Sequence, residues 1–178
     1  MIMPNHKGVM PKIHETAFIA PGATIIGDVE IGEGTNVWPG AVIRGDMCKI
    51  RIGKHCSIQD NCVIHSEAGT SITIGDNVLM GHGAIVHGPG DIGDNNLVGI
   101  GSIKLMKKTV GTGCIIGAGA LITKDVEDFS KMMGSPAEVK GTLEEKDTTP
   151  KATGSENYYQ MGQAYKKQGL DQREYPGG

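Results

Sequence analysis

Residues 13–43 read IHETAFIAPGATIIGDVEIGEGTNVWPGAVI, and in them an aliphatic residue returns every six positions: Ile13, Ile19, Ile25, Ile31, Val37 and Ile43. After three extra residues the series resumes at Ile52, Ile58 and Ile64. After four more it resumes at Ile74, Met80, Val86, Ile92 and Val98, then Val110, Ile116 and Ile122. Of these slots only Lys104 breaks the series, and Ile103 or Leu105 can take its place by a local shift. Two residues before most slots stands a smaller side chain, among them Ala17, Ala23, Thr35, Ala41, Cys56, Cys62, Ala84, Ser102, Cys114 and Ala120. Side chains alternate along a strand, so positions two apart share a face. Each unit is therefore a short strand with a large and a small inward residue, followed by a turn that Gly32, Gly53, Gly75 or Gly93 suits. A period of six does not match the 3.6 residues of a helical turn. Three units make one turn of a three-sided prism, whose coils stack at about 4.8 Å. The fold expected for 13–126 is an all-β, parallel β-helix of about six coils.

The flanks read differently. Residues 1–12 form an N-terminal segment without the apolar run of a signal peptide. Gly134-Ser135-Pro136-Ala137 marks an exit turn, and 127–154 reads as exit turn and linker. A C-terminal helix is expected over 155–168, with Ser155 as cap, Gly169 as terminator and Tyr158, Met161, Ala164 and Tyr165 as its apolar stripe. Gly162 weakens that helix by about 1 kcal/mol. Residues 169–178 form a tail. Aromatics are 4% of the chain and the net charge is −3 with signs mixed, which argues against a nucleic-acid platform and a membrane surface. No stretch reaches the roughly 18 apolar residues of a membrane span. These features read as a cytoplasmic protein. Cys48, Cys56, Cys62 and Cys114 contain no CxxC pair, and three of them fall in the small column as corner filling.

His65 and His87 each follow an inward aliphatic, Ile64 and Val86, and three units separate them. They lie on one outer wall, one coil apart, where two imidazoles about 5 Å from each other can share a metal. Arg44 holds the same column one coil earlier. His82 sits two positions after Met80, at the preceding corner, roughly 16 Å along the strand from His87. A neighbouring subunit would have to bring it to the other two, which argues for a cyclic trimer with three sites. Asp60 shares the corner column of His82, Gln59 points outward, and Arg44, Asp46 and Asp60 are candidates for a charge cluster across a subunit boundary. Gln59 is a candidate hydrogen-bond partner of a metal-bound water. His6, His14 and His55 have no such company and are expected to face solvent.

The residues Arg44-Gly45-Asp46, Gln59-Asp60-Asn61, Val63-Ile64-His65 and Gly81-His82-Gly83-Ala84-Ile85-Val86-His87-Gly88 resemble the gamma-class carbonic anhydrases and their short-loop bacterial and archaeal homologues. The resemblance covers about residues 8–140. It implies a left-handed β-helix, a handedness the period does not give, and a homotrimer with Zn2+, or Fe2+ or Co2+, between subunits. The metal ligands it implies are His65, His82 and His87. It further implies that Gln59 orients the hydroxide and that Arg44, Asp46 and Asp60 serve the interface and bicarbonate binding. Tyr158, or failing it Tyr159, would approach the site from the C-terminal helix. Two departures stand out. The acidic loop that carries a proton-shuttle glutamate shrinks here to Ser66-Glu67-Ala68-Gly69-Thr70, leaving Glu67 as the nearby acid, and Met47 replaces a second glutamate.

The expected reaction is reversible hydration of carbon dioxide to bicarbonate, with the metal lowering the pKa of its bound water to about 7. Two rivals remain open. A CoA-dependent acyltransferase or thioesterase would share the coils and use one histidine as general base. A non-enzymatic assembly or metal-binding subunit would need no turnover at all.

Overall fold

The structure is a computed structural model and describes residues 1–174. Three parallel ladders of short strands wind into a β-helix of six coils with a helix laid along its outside, the left-handed prism that the resemblance implied. The six-residue column sets the register directly. On one wall, Ile25, Ile43, Ile64, Val86, Lys104 and Ile122 are ladder partners in turn. We call this the histidine wall. On the second, open wall, Ile13, Ile31, Ile52, Ile74, Ile92 and Val110 stack. On the third, helix wall, Ile19, Val37, Ile58, Met80, Val98 and Ile116 do so. Most of these side chains are fully buried, each contributing about 1.5–3 kcal/mol of transfer free energy, so a thin column replaces a broad core. Cys56, Cys62 and Cys114 fill corners, their thiols donating to main-chain carbonyls, and burial pushes the Cys56 thiol up to about 12.

Stacking runs beyond 13–126 at both ends. Ile2–Met3 adds a rung below Ile25, and Ser130–Met133 adds one above Ile116. The expected linker 127–154 is more ordered than its polar composition implied. Glu138–Thr142 pairs antiparallel with the last coil, covering an edge that would otherwise be open, and a 3-10 turn and a helical turn at Pro150–Thr153 follow.

Lys104 itself takes the inward slot, with no shift to Ile103 or Leu105. It is 3% exposed and its Nζ donates to the His87 carbonyl at 3.2 Å. A long stem can fill an aliphatic column while its head finds a main-chain oxygen. Burial nonetheless pushes the ammonium down to about 8.

Both insertions fall where the histidine wall turns into the open wall. The strand Val42–Ile52 runs through the first, and the loop at 66–70 folds over it, with Gly69 N–H donating to the Met47 carbonyl. Successive coils therefore place Asp46, Met47 and Cys48 beside Glu67.

The C-terminal helix spans Ser155–Lys167 and packs on the helix wall at Phe18–Ile19, Asn36–Val37 and Ser57–Ile58. Its cap is Gly154, not Ser155, whose hydroxyl is buried and donates back to the Pro150 carbonyl. Gly162 is the contact point: a Cβ there would stand 3.1 Å from Asn36 Cβ and 3.4 Å from Phe18 Cβ, so glycine lets the helix approach. Tyr158 and Tyr165 pack on Trp38, but Met161 and Ala164 face outward, so the expected stripe is only half buried. Gly169 ends the helix with a left-handed φ of 73°. His55 departs from expectation too, half-buried with its ring edge against Tyr159 at 4.8 Å, whereas His6 and His14 are exposed.

Of the tail 169–178, residues 175–178 lie outside the described residues. The rest closes the first coil: Asp171, 0% exposed, accepts from Ile19 N–H, Gln172 N–H donates to the Ile19 carbonyl, and Arg173 forks onto Asp171. Burial works to raise the Asp171 pKa, but the hydrogen bonds and charge of Arg173 outweigh it and hold the carboxyl low. A depressed folded pKa means stability that is present above the unfolded value near 4 and is lost as pH falls through the folded one. Asp171→Asn is therefore expected to cost about 2 kcal/mol at pH 7 and to flatten the acid limb of stability measured by urea unfolding.

Candidate metal centre

Twenty-two residues separate His65 from His87, three six-residue units plus the four-residue insertion, so the two are direct ladder partners. Their rings stand 5.8 Å apart at 84° on the outside of the histidine wall. His65 Nδ1 donates to the Arg44 carbonyl at 2.7 Å, which fixes the tautomer and leaves Nε2 with its lone pair. His87 Nδ1 is buried without a hydrogen-bond partner among the described residues, and its Nε2 lies 3.9 Å from Glu67 Oε1. A buried ring nitrogen without a partner calls for an explanation, and a group bound by the ring supplies one.

Arg44 reaches along the same wall to Asp46 at 2.7 Å, and Asp46 Oδ1 stands 3.9 Å from His65 Nδ1. Burial tends to raise the Asp46 pKa, yet the Arg44 hydrogen bond and charge, with the Met47 N–H, hold the carboxyl below its ordinary value. Cys48, which the repeat left unexplained, is buried here with Sγ 4.0 Å from His65 Nδ1 and 3.6 Å from the Arg44 carbonyl. Sequence reasoning missed it and Lys104. Lys104 breaks its column, and Cys48 is the one cysteine that falls outside the small column.

The remaining candidates stand at the far corner of the helix wall. His82 N–H donates to Gln59 Oε1 at 3.1 Å, and His82 Nδ1 donates to Asp60 Oδ2 at 2.8 Å. The imidazole is thereby oriented with Nε2 free, the arrangement a carboxylate gives a metal-ligating histidine. Gln59 points out from the prism as expected but is 3% exposed, because it lines a cleft of about 280 Å3 with His82, Ile100 and Tyr158 of the C-terminal helix. Its Oε1 is taken by His82, so its amide N–H2 is the group left to donate. Tyr159 is committed to His55, which leaves Tyr158 as the tyrosine at this cleft.

The candidates of one chain thus stand in two separate groups. Arg44, Asp46, His65, Glu67 and His87 stand on the histidine wall; Gln59, Asp60, His82 and Tyr158 stand at the other corner. The expected cluster of Arg44, Asp46 and Asp60 does not form within a chain, since Arg44 pairs with Asp46 and Asp60 with His82. Among the described residues no three His, Cys, Asp or Glu side chains of one chain converge as a metal site. The donor set nevertheless fits a metal that takes imidazole nitrogen: each ring keeps a nitrogen free, and two are oriented by an acceptor behind them.

A family model for the bacterial transferase hexapeptide (six repeats) matches residues 10–45. A solved hexapeptide transferase family protein from Anaplasma phagocytophilum is 36% identical, with a TM-score of 0.85, covering 93% of this chain and 98% of its own. The chain belongs to the hexapeptide transferase family. Within the family it is similar to the Methanocaldococcus jannaschii protein named "Probable carbonic anhydrase", 53% identical over 76 residues, which are 43% of this chain and 48% of that one. It is similar also to the mitochondrial gamma carbonic anhydrase 2 of Arabidopsis thaliana, 45% identical over 85 residues, 44% of this chain and 30% of that one. The matches span less than half the length of these two relatives. Both are named carbonic anhydrases, the second of the gamma class, so the resemblance to the gamma-class carbonic anhydrases holds. No helix of the described residues is long and apolar enough to cross a membrane.

Proposed function

We propose that the chain forms a homotrimer in the cytoplasm and catalyses the reversible hydration of carbon dioxide to bicarbonate. Its metal, zinc or else iron or cobalt, would be held by His65 and His87 of one subunit and His82 of the next. The observation that carries this reading is the pair of facing imidazoles one rung apart, one ring with its Nδ1 anchored and the other with its Nδ1 unpartnered. A third oriented imidazole sits on a separate corner of the same coils. The two relatives named as carbonic anhydrases support the chemistry.

A surface suited to a neighbour surrounds the half-sites. Ile85, Leu105 and Met106 are exposed around His87, and Ile100, 57% exposed, stands one coil from His82. A closed ring would bury the one set against the other, whereas a lone exposed aliphatic would need no explanation.

When bound, the metal supplies the positive charge that makes water a nucleophile near neutral pH. The protein's own residues do the rest. The Gln59 amide, with Oε1 held by His82, has its N–H2 left to donate to an oxygen in the cleft. Asp60 and the Arg44 carbonyl keep His82 and His65 in the tautomer that presents Nε2. Hydration of carbon dioxide yields bicarbonate and one proton, and Glu67, half exposed 3.9 Å from His87 Nε2, would take that proton on its carboxylate and release it to solvent. Tyr158 closes the cleft on the side of the helix.

Stopped-flow hydration by anaerobically purified protein loaded with zinc, cobalt or iron tests the reading; inactivity with all three would refute it. A second reading has one specific observation behind it, since the relative matched over 98% of its length bears the name of a transferase family. Protection from thermal unfolding by acetyl-CoA, with none by metal, would favour acyl transfer.

A further inference from the structure

Under the C-terminal helix, on the helix wall, lies a second cavity of about 400 Å3. Its walls are Phe18, Trp38, Tyr165 and Leu170 with two prolines, and among the described residues its single charged lining residue is Asp60. Phe18 and Tyr165 stack at 5.9 Å and 17°, while Trp38 meets them edge-on at 5.6 and 5.8 Å. Asp60 does not wander: its Oδ2 accepts from His82 Nδ1 at 2.8 Å, which fixes the carboxylate and leaves Oδ1 free.

We propose that this cavity binds a small organic cation, a quaternary or protonated amine, with its charged head between the aromatic rings and Asp60. Three alternatives fit the walls less well. An anion would meet the carboxylate with no lysine, arginine or histidine among the lining residues to offset it. A neutral apolar ligand would strip water from Asp60 and leave its charge uncompensated. A metal ion would have to trade its water shell for ring faces. A weakly hydrated alkylammonium loses little on leaving water and gains from both the rings and the carboxylate. The volume lies in the range of small-molecule sites. All the groups belong to one chain, so the inference does not rest on the metal reading.

Trp38 is the only tryptophan in the chain and lines the cavity, so its emission reports occupancy. Wild-type protein is titrated with choline and with its uncharged carbon analogue, 3,3-dimethylbutan-1-ol. Choline is expected to change Trp38 emission saturably and to bind at least about tenfold more tightly than the alcohol. Tyr165→Leu, which keeps apolar bulk without a ring, and Asp60→Asn should each weaken choline about fivefold or more and leave the alcohol unchanged. Equal affinity for the two probes, or no saturable response to choline, would overturn the proposal, and this comparison needs no variant to fold.

Discussion

Replacing His65 with alanine is expected to weaken binding of zinc or cobalt by at least about 100-fold and to reduce carbon dioxide hydration by about a thousandfold or more. The reason lies in the ladder. His65 and His87 are the two donors that one wall supplies, and no other imidazole stands within that column. Removing one leaves a single wall-borne ligand, and the Arg44 carbonyl loses its imidazole donor. The prism should survive, because Ile64 still fills its core slot beside the lost ring. Equilibrium dialysis against cobalt, with thermal unfolding of the metal-free protein as control, separates loss of the site from loss of the fold. His14→Ala, at an exposed histidine on the open wall, should change neither.

Lys104→Met is expected to stabilise the protein. A charged amine in an aliphatic column, its pKa pushed from 10.5 to about 8, costs roughly 3 kcal/mol at neutral pH by linkage. That shift is the net of burial against the charges of Asp91 and Asp125, which favour the ammonium. Methionine matches the stem and completes the column of Val86 and Ile122, so a gain of about 1–3 kcal/mol follows. The pH dependence has a definite sign. Between about pH 8 and 10.5 the unfolded lysine holds more protons than the folded one, so wild-type stability should rise with pH across that window. The methionine variant should lack the rise. Urea unfolding at pH 7 and pH 9.5 measures both effects, and a variant less stable than wild type at pH 7 would contradict the account.

The fold was legible because a six-residue column writes the register into the chain: the pairings of Ile25, Ile43, Ile64 and Val86 are those that counting gives. The same counting put His65 opposite His87 and His82 at another corner. It could not see what lies behind the rings. The Arg44 carbonyl under His65 is a main-chain atom, and no side-chain pattern announces it. Lys104 was misjudged because hydrophobicity rules treat lysine as outward, whereas its head needed only one carbonyl to turn in. On the C-terminal helix the apolar residues were named correctly but the buried face was set by Gly162, whose missing Cβ outweighs the bulk of Met161. Tyr158, which the resemblance put first, lines the cleft, while Tyr159 packs on His55.

The central claim is that two half-sites from different chains make one centre. Coexpression of His65→Ala and His82→Ala chains tests it most directly. Each variant alone should be inactive, since every site lacks a ligand. In mixed trimers, a junction with the wall of the His82→Ala chain and the corner of the His65→Ala chain has all three histidines. Random assembly at equal dose should then restore about a quarter of wild-type metal content and hydration activity. No recovery, with mixed trimers verified by differently tagged chains, would contradict the account.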